Sequence, residues 1–548
     1  KEEKKENIRP QKNMIMIKLF FVIGILLLIN VDGLKIGICV PDVSGSQILF
    51  NQRIAETLSD AGHNVTLLRF RYMEYFDVKA KTREDIHEWT VDGYVPGYDL
   101  RKMIKLQTQL GFADEGFLGL FTKEKNEILW NTSFALTKGC EKIINNKEFV
   151  EKLKNSEFDV IFAHMMDFCP IGLIHVVKPK SWAWVTSGPV MDHMAYFMGL
   201  SLPASYAAPV LMDSGDRMTF FERAKSVVGH TITPIFINNL FIEPETEIFR
   251  KTFGRDFPHL ADVSKSAPLL LANSNELYDL PRPTLTKILY IGGIGMKPQK
   301  AKPLSEDVQK KIDEKDSVIV FSFGSVANAS LMSMEWKRAF MEAFGEFPRT
   351  QFFMRYPIDD MDDFKPKNVE LLKWLPQVDL LNHPKTKAFI THGGFNSLQE
   401  AINSATPLVT IPLFGDQFKN AQIIKKHNLG IILPKNGLNK DSVVEVIRKI
   451  LEDQSYSEAI SRMKKMIQMD PFPAEEKLVK WTRFLGEFQT LDNLRPVGAD
   501  LDFVTFYNID VYFVFGTTVI GMLILSYLVI RMVFRKAVRF YKSKVKKD

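Results

Sequence analysis

Cysteine is scarce: the 548 residues include only Cys39, Cys140 and Cys169. Three are too few for a disulfide-built scaffold, and their separations match no metal-ligand spacing. Low-complexity tracts and short internal repeats are also missing. With 46% hydrophobic residues, the chain can bury large cores, which excludes a disordered protein. A net basic charge is missing from most of the chain. Residues 531–548 hold eight Lys/Arg and one Asp, a local net of +7 against +6 for the whole chain, so the rest sums to −1. The basicity belongs to a tail, which excludes nucleic acid as a partner and fits a membrane flank.

Two strongly apolar runs with little charge lie near the ends. Val511–Ile530 is 20 residues without a charge, about 30 Å as a helix, the thickness of a bilayer core. Residues 511–530 are therefore read as one transmembrane helix and 531–548 as a basic cytosolic tail. Residues 14–33, "MIMIKLFFVIGILLLINVDG", carry a lysine, an apolar run and small or medium residues at the end, the pattern of a signal peptide. Residues 1–13 precede it and do not open on Met, so they are expected to be upstream sequence that the mature chain lacks. A single-pass type I topology follows, with the main domains lumenal. Lys544 and Lys546 stand five and three from the end, the spacing of a dilysine retrieval signal to the endoplasmic reticulum and equally that of a plain basic flank. Asn64, Asn131 and Asn328 open glycosylation sequons; Asn64 begins an apolar strand pattern and is expected to be the least used.

Between these ends, short apolar runs alternate with amphipathic stretches: "LKIGICV", "HNVTLLRF", "FDVIFA", "SWAWVT" and "APLLLAN", then after a Pro/Lys-rich segment "DSVIVFSFGS", "TQFFMRYP", "KAFITHGG" and "PLVTIPLFGD". This is the α/β pattern of parallel sheets covered on both faces. Two Rossmann-like domains are expected, over 34–285 and 286–470, facing across a cleft where strand carboxyl ends meet a ligand. A C-terminal helix and linker, 471–508, lead to the span.

Four segments of the second domain end in polar residues at one sheet edge. "FSFGS" offers Ser325, "KWLPQ" offers Trp374 and Gln377, "THGGFNS" offers His392, Gly394, Asn396 and Ser397, and "PLFGDQ" offers Asp416 and Gln417. In "THGGFNSLQE", a strand stops at two glycines and restarts as a helix, so the backbone approaches a ligand closely and the first helical amides point at it, an arrangement that suits phosphate. No Walker lysine is needed. The acidic run Asp359–Asp363 contains an Asp-x-Asp, which a metal-dependent transferase would use, but it follows "MRYPI" as a solvated turn; no metal is expected. A receptor would share the single span without needing four nucleotide-type strand ends.

Trp374–Asn420, "WLPQVDLLNHPKTKAFITHGGFNSLQEAINSATPLVTIPLFGDQFKN", closely resembles the sugar-nucleotide signature of the UDP-glycosyltransferases, the membrane-bound UDP-glucuronosyltransferases in particular. The resemblance extends from "AGHNVTLL" to "KWTRFLGEF" and the single span. It implies a GT-B fold and a UDP-glucuronate or UDP-glucose co-substrate with no other cofactor. It also implies a small lipophilic acceptor, a possible homo- or hetero-oligomer, and residence in the endoplasmic reticulum membrane. By the same resemblance, Trp374 and Gln377 would hold uracil, and Ser325, His392, Asn396 and Ser397 the diphosphate. Glu400 would take the ribose hydroxyls, and Asp416 and Gln417 the sugar. Arg223 falls in a segment where the family carries an Arg motif, and would meet a phosphate or a glucuronate carboxylate unless it is a surface arginine. Ala405 stands where the family usually has Gly.

The family inverts the anomeric carbon, using a His after the first strand and a supporting Asp. Here those positions are Gln47 and His164, with Asp167 three residues on. Glutamine takes no proton. Three readings stay open: His164 is a relocated base oriented by Asp167; the acceptors need little base help, as acidic phenols, carboxylates or amines do; or the protein binds UDP-sugar without turnover and assists a related subunit.

Overall fold

The computed structural model describes residues 33–74, 82–98, 100–113, 122–296 and 302–545. The expected signal peptide at 14–33 lies almost wholly outside these, as does Lys546.

Two all-parallel sheets organise the chain. The first contains β1 (Lys35–Pro41), β2 (Asn64–Arg71), β3 (His87–Asp92), β4 (Val160–His164), β5 (Ser181–Thr186), β6 (Leu269–Ala272) and β7 (Ile288–Tyr290), in the order 3-2-1-4-5-6-7. The second contains β8 (Ser317–Ser322), β9 (Thr350–Arg355), β10 (Val369–Leu372), β11 (Thr386–Thr391), β12 (Leu408–Thr410) and β13 (Gly430–Ile432), in the order 10-9-8-11-12-13. Alternate residues feed opposite cores: Ile36, Ile38 and Val40 of β1 pack on one face and Cys39 on the other. In β8, Ile319 and Phe321 oppose Val318 and Val320. Burial on both faces is why these strands read as continuous apolar runs.

Strand order reverses between β1 and β4 in the first sheet and between β8 and β11 in the second. A doubly wound sheet opens a crevice at its reversal, beyond the carboxyl ends of the strands. Gln47 and His164 follow β1 and end β4; Ser325 and His392 follow β8 and β11. The residues singled out from sequence thus occupy the two switch points.

The domains interlock more than the sequence suggested. β7 pairs with β6 beyond the boundary expected at residue 285, while Tyr278 and Leu280 pack in the second domain's core. Helix Leu100–Phe112 crosses to the second domain. Phe112 sits edge-on to Phe323 and Trp336, at 5.4 and 5.7 Å, and Lys435 donates to the Gly111 carbonyl at 3.0 Å. Helix Ala474–Phe488 returns to the first domain, where Leu478 and Leu485 join its core. Asp279 and Lys419 form a buried interdomain pair at 2.9 Å, with Arg282 at 3.8 Å from the same carboxylate.

One disulfide, Cys140–Cys169, ties helix Lys123–Ile144 to the start of helix Cys169–Val177; Cys39 is free and buried. Asn64 is exposed where it opens its strand at the sheet rim, Asn131 is half-buried within a helix and Asn328 is exposed. The last helix runs Ile509–Val545, longer than the 511–530 expected. Its apolar part has mean hydropathy 2.3 and no burial against the rest of the protein.

Candidate donor and acceptor site

His392 stands at the centre of the second switch point. Its imidazole lies between two glycine backbones: a Cβ on Gly394 would fall 2.6 Å from Nε2, and one on Gly324 would fall 2.7 Å from Cε1. Gly324 and Gly393 adopt φ of +74° and +81°, which also favour glycine. The Thr391 hydroxyl meets Nδ1 at 3.2 Å. Burial lowers the imidazole to a pKa of about 4, so it is neutral at ordinary pH. Helix Phe395–Ser404 starts directly beside it. Its N-cap, Gly394, has no side chain to bond the first amides, which stay available to an anion. At the helix's other end Ala405, where the family usually has Gly, takes the left-handed conformation, φ 59°.

Further along that helix, Gln377 Nε2 donates to Glu400 Oε2 at 2.6 Å, joining the residues assigned to base and ribose. Burial raises the Glu400 pKa, while the Gln377 bond and the positive charge of Arg53 lower it. Trp374 is 77% exposed, leaving an aromatic face for a base. Arg355 stacks over that ring at 5.6 Å and donates to the Gly324 carbonyl at 2.7 Å. Asp416 accepts from Asn420 at 3.2 Å, and a Cβ on Gly188, in the loop after β5, would lie 3.5 Å from its carboxylate. Asp416 therefore faces the first domain across the cleft. Gln417 divides its amide: the carbonyl oxygen accepts the Leu413 and Phe414 amides at 2.8 and 3.1 Å and shapes the loop, leaving Nε2 to donate. Ser325 is exposed beside Gly324, Asn396 is half-buried and Ser397 is buried on the first turn of the helix.

The acceptor side departs from expectation. His164 is fully buried, and neither ring nitrogen has a hydrogen-bond partner among the described residues. Burial drives its pKa down to about 3. Asp167 does not orient it. Its carboxylate accepts the Tyr72 hydroxyl instead, and burial raises its pKa. Glu245, raised by burial and by the charge of Asp167, accepts the Phe168 amide at 3.0 Å. Tyr72, which follows β2, takes Oδ2 alone; Oδ1 and both His164 nitrogens stay unpartnered among the described residues, because the two side chains do not meet. Gln47 lies on the first turn of helix Gly45–Asp60, half-buried, with its Oε1 unpartnered.

Arg223 bonds the Met218 carbonyl at 3.0 Å on an exposed helix. Asp360, inside the Asp-x-Asp run, binds Lys337 at 2.7 Å and the Tyr356 hydroxyl at 2.6 Å. No group of three or more His, Cys, Asp or Glu that could hold a metal occurs among the described residues. Sequence reasoning missed Arg355, Arg53 and Asn420. Arg355 carries a readable signal, a charge ending the apolar run "TQFFM"; Arg53 carries none, because only the domain arrangement brings it to Glu400.

The model for the family described as UDP-glucoronosyl and UDP-glucosyl transferase matches residues 38–546. A Caenorhabditis elegans protein named as the UDP-glucuronosyltransferase ugt-47 is 31% identical over 494 residues, covering 87% of this chain and 89% of its own. UDP-glucuronosyltransferase 2B18 of Macaca fascicularis is 27% identical over 84% of this chain and 85% of its own. Among solved structures, the glycosyltransferase of kitacinnamycin superposes with a TM-score of 0.56 at 14% identity, over 84% of this chain and all of its own. A Polygonum tinctorium UDP-glucosyltransferase that glucosylates indoxyl gives 0.55 at 14% identity, with the same coverage. The fold is thus GT-B, and with a family match across nearly the whole chain and the nucleotide-type strand ends gathered at one switch point, the protein belongs to the UDP-glucuronosyl and UDP-glucosyl transferases.

Proposed function

We propose that the chain transfers a hexosyl or glucuronosyl group from UDP-glucose or UDP-glucuronate to a small lipophilic acceptor, with inversion and without a metal. The observation that carries this reading is His392, neutral and boxed by Gly324 and Gly394 beside a helix whose first amides are uncapped. With the Thr391 hydroxyl donating to Nδ1, Nε2 keeps its proton and donates to the diphosphate. The amides of the Phe395–Ser404 helix add to it, stabilising charge that builds on the departing UDP. Trp374 stacks the uracil, Gln377 and Glu400 take base and ribose, and Asp416, steadied by Asn420, faces the sugar.

In this reaction the acceptor's lone pair forms a bond to the anomeric carbon as the bond to UDP breaks. The acceptor proton leaves to solvent or to the released diphosphate. Gln47 accepts no proton, and His164 is sealed and unpartnered. That favours acceptors needing little base help: acidic phenols, carboxylates or amines. The same observation favours a second reading, a UDP-sugar-binding partner that assists a related transferase without turnover.

The Ile509–Val545 helix and its basic end support a single-pass anchor with the catalytic domains lumenal, and we place the protein in the endoplasmic reticulum membrane. Residence in an oxidising lumen also fits the Cys140–Cys169 bond. In calorimetry, His392→Ala and Glu400→Ala should each abolish or severely weaken UDP-sugar binding. Unchanged affinity in both would remove the donor assignment.

A further inference from the structure

Helix Phe220–Ile237 is amphipathic in the inverse sense. The residues it buries are Ser226, His230 and Pro234, spaced by four along one stripe. Those it exposes are apolar: Phe221 at 75%, Val227 at 54%, Val228 at 53% and Ile232 at 51%, with Ile235, Phe236 and the 69%-exposed Phe220 completing the face. At 3.6 residues per turn these side chains cover about half of the helix circumference. A water-facing helix carries the opposite pattern, and a contiguous apolar face of this kind marks an interaction surface.

The position of the helix identifies what covers it. The Tyr507 hydroxyl donates to the His230 carbonyl at 2.8 Å, from the buried side of the helix. Tyr196, in the helix packed beside it, meets Phe506 edge-on at 4.9 Å and stacks on Tyr507 at 6.1 Å. Two residues after Tyr507, at Ile509, the last helix begins, with its apolar part first. The Phe220–Ile237 helix is therefore clasped to the chain at the point where it enters the hydrocarbon. On the same helix Arg223 and Lys225 are exposed, and basic side chains with long stems are favoured at membrane interfaces. The capping box of Thr219 and Glu222 fixes its start.

We propose that the outer face of helix Phe220–Ile237 lies in the interface of the bilayer that the last helix spans, as a second, monotopic membrane contact of the acceptor-binding domain. The apolar side chains enter the boundary between headgroups and acyl chains, as interfacial helices do. The contact holds the first domain against the lipid surface, where lipophilic acceptors are concentrated. This inference rests on the membrane-anchored reading above.

The test uses the full chain in phosphatidylcholine vesicles, with and without brominated acyl chains. Single cysteines are introduced by Phe221→Cys, Val228→Cys, Leu525→Cys and Glu458→Cys and labelled with an environment-sensitive fluorophore. The native cysteines are buried or disulfide-bonded, so the label goes to the introduced thiol. Labels at 221 and 228 should lose most of their emission to the brominated lipid, as at 525, while 458 keeps its own. If 221 and 228 behave like 458 while 525 is quenched, the interfacial helix is refuted and the anchor stands. No quenching at 525 would overturn the anchor, and this proposal with it.

Discussion

Gly394→Ala isolates the role of His392 with a single methyl group. The backbone there, φ −61° and ψ 152°, is open to alanine, so the change acts through contact and not through strain. The new carbon would stand 2.6 Å from Nε2 and 2.9 Å from Cε1 of His392, about 1 Å inside an ordinary contact. Gly324 lies against the same Cε1–Nε2 end of the ring, so the imidazole has to move off both glycines. It must turn into the space assigned to the diphosphate. A 1 Å displacement of a catalytic group costs on the order of 10²-fold in rate, so kcat/KM for UDP-sugar should fall by about that factor, with weaker UDP binding. Loss of glycine as N-cap should cost stability only about 1 kcal/mol. Steady-state kinetics, calorimetry with UDP and a thermal melt in detergent separate these effects. A variant that binds UDP and turns over within about twofold of the parent would refute the placement of His392 against the phosphates.

Three further outcomes follow from the structure. Gln47→His should raise turnover of aliphatic alcohols relative to acidic phenols in a paired-acceptor assay, because a base appears where none stands; an unchanged ratio would show that this position does not face the acceptor. His164, His193 and His392 are held by burial at pKa values of about 3, 4 and 4. Between pH 6.5 and about 4 the unfolded chain takes protons that these groups refuse when folded, so they remove stability as pH falls through that window. Asp167 and Glu245, raised by burial, act in the opposite sense. His164→Gln should therefore flatten the acid side of a stability–pH curve by about 1.4 kcal/mol per pH unit near pH 5, and an unchanged slope would contradict its buried, neutral state. Cys140→Ser opens a loop with a sequence separation of 29. The chain-entropy estimate for it is about 3.5 kcal/mol, so the melting temperature should drop by several degrees, and an unchanged melt would show that the bond adds no stability.

Much of the donor side was legible in the sequence because its signals are local. A strand that ends in His-Gly-Gly and restarts as Asn-Ser-Leu-Gln-Glu fixes its own geometry, and the structure brings Gln377 against Glu400. At Gln417 a second task was hidden: a polar residue after "LFGD" reads as a sugar ligand, and its carbonyl oxygen also holds two loop amides while Nε2 is left to donate. The acceptor side depends on contacts far apart in sequence. Nothing near Asp167 announces that Tyr72, 95 residues earlier, binds one of its carboxylate oxygens, and spacing alone made His164 its natural partner. The inverted helix at 220–237 was equally hidden, since its composition resembles that of any amphipathic segment until the buried stripe is known.

The most direct test of the account is UDP release by the detergent-solubilised protein, offered UDP-glucuronate or UDP-glucose with a phenol, an aliphatic alcohol and a tertiary amine. Acceptor-dependent release is expected with one of the donors, faster with the phenol or the amine than with the alcohol. Donor binding without release across a broad acceptor panel would contradict the transfer reading and leave a UDP-sugar-binding partner in its place.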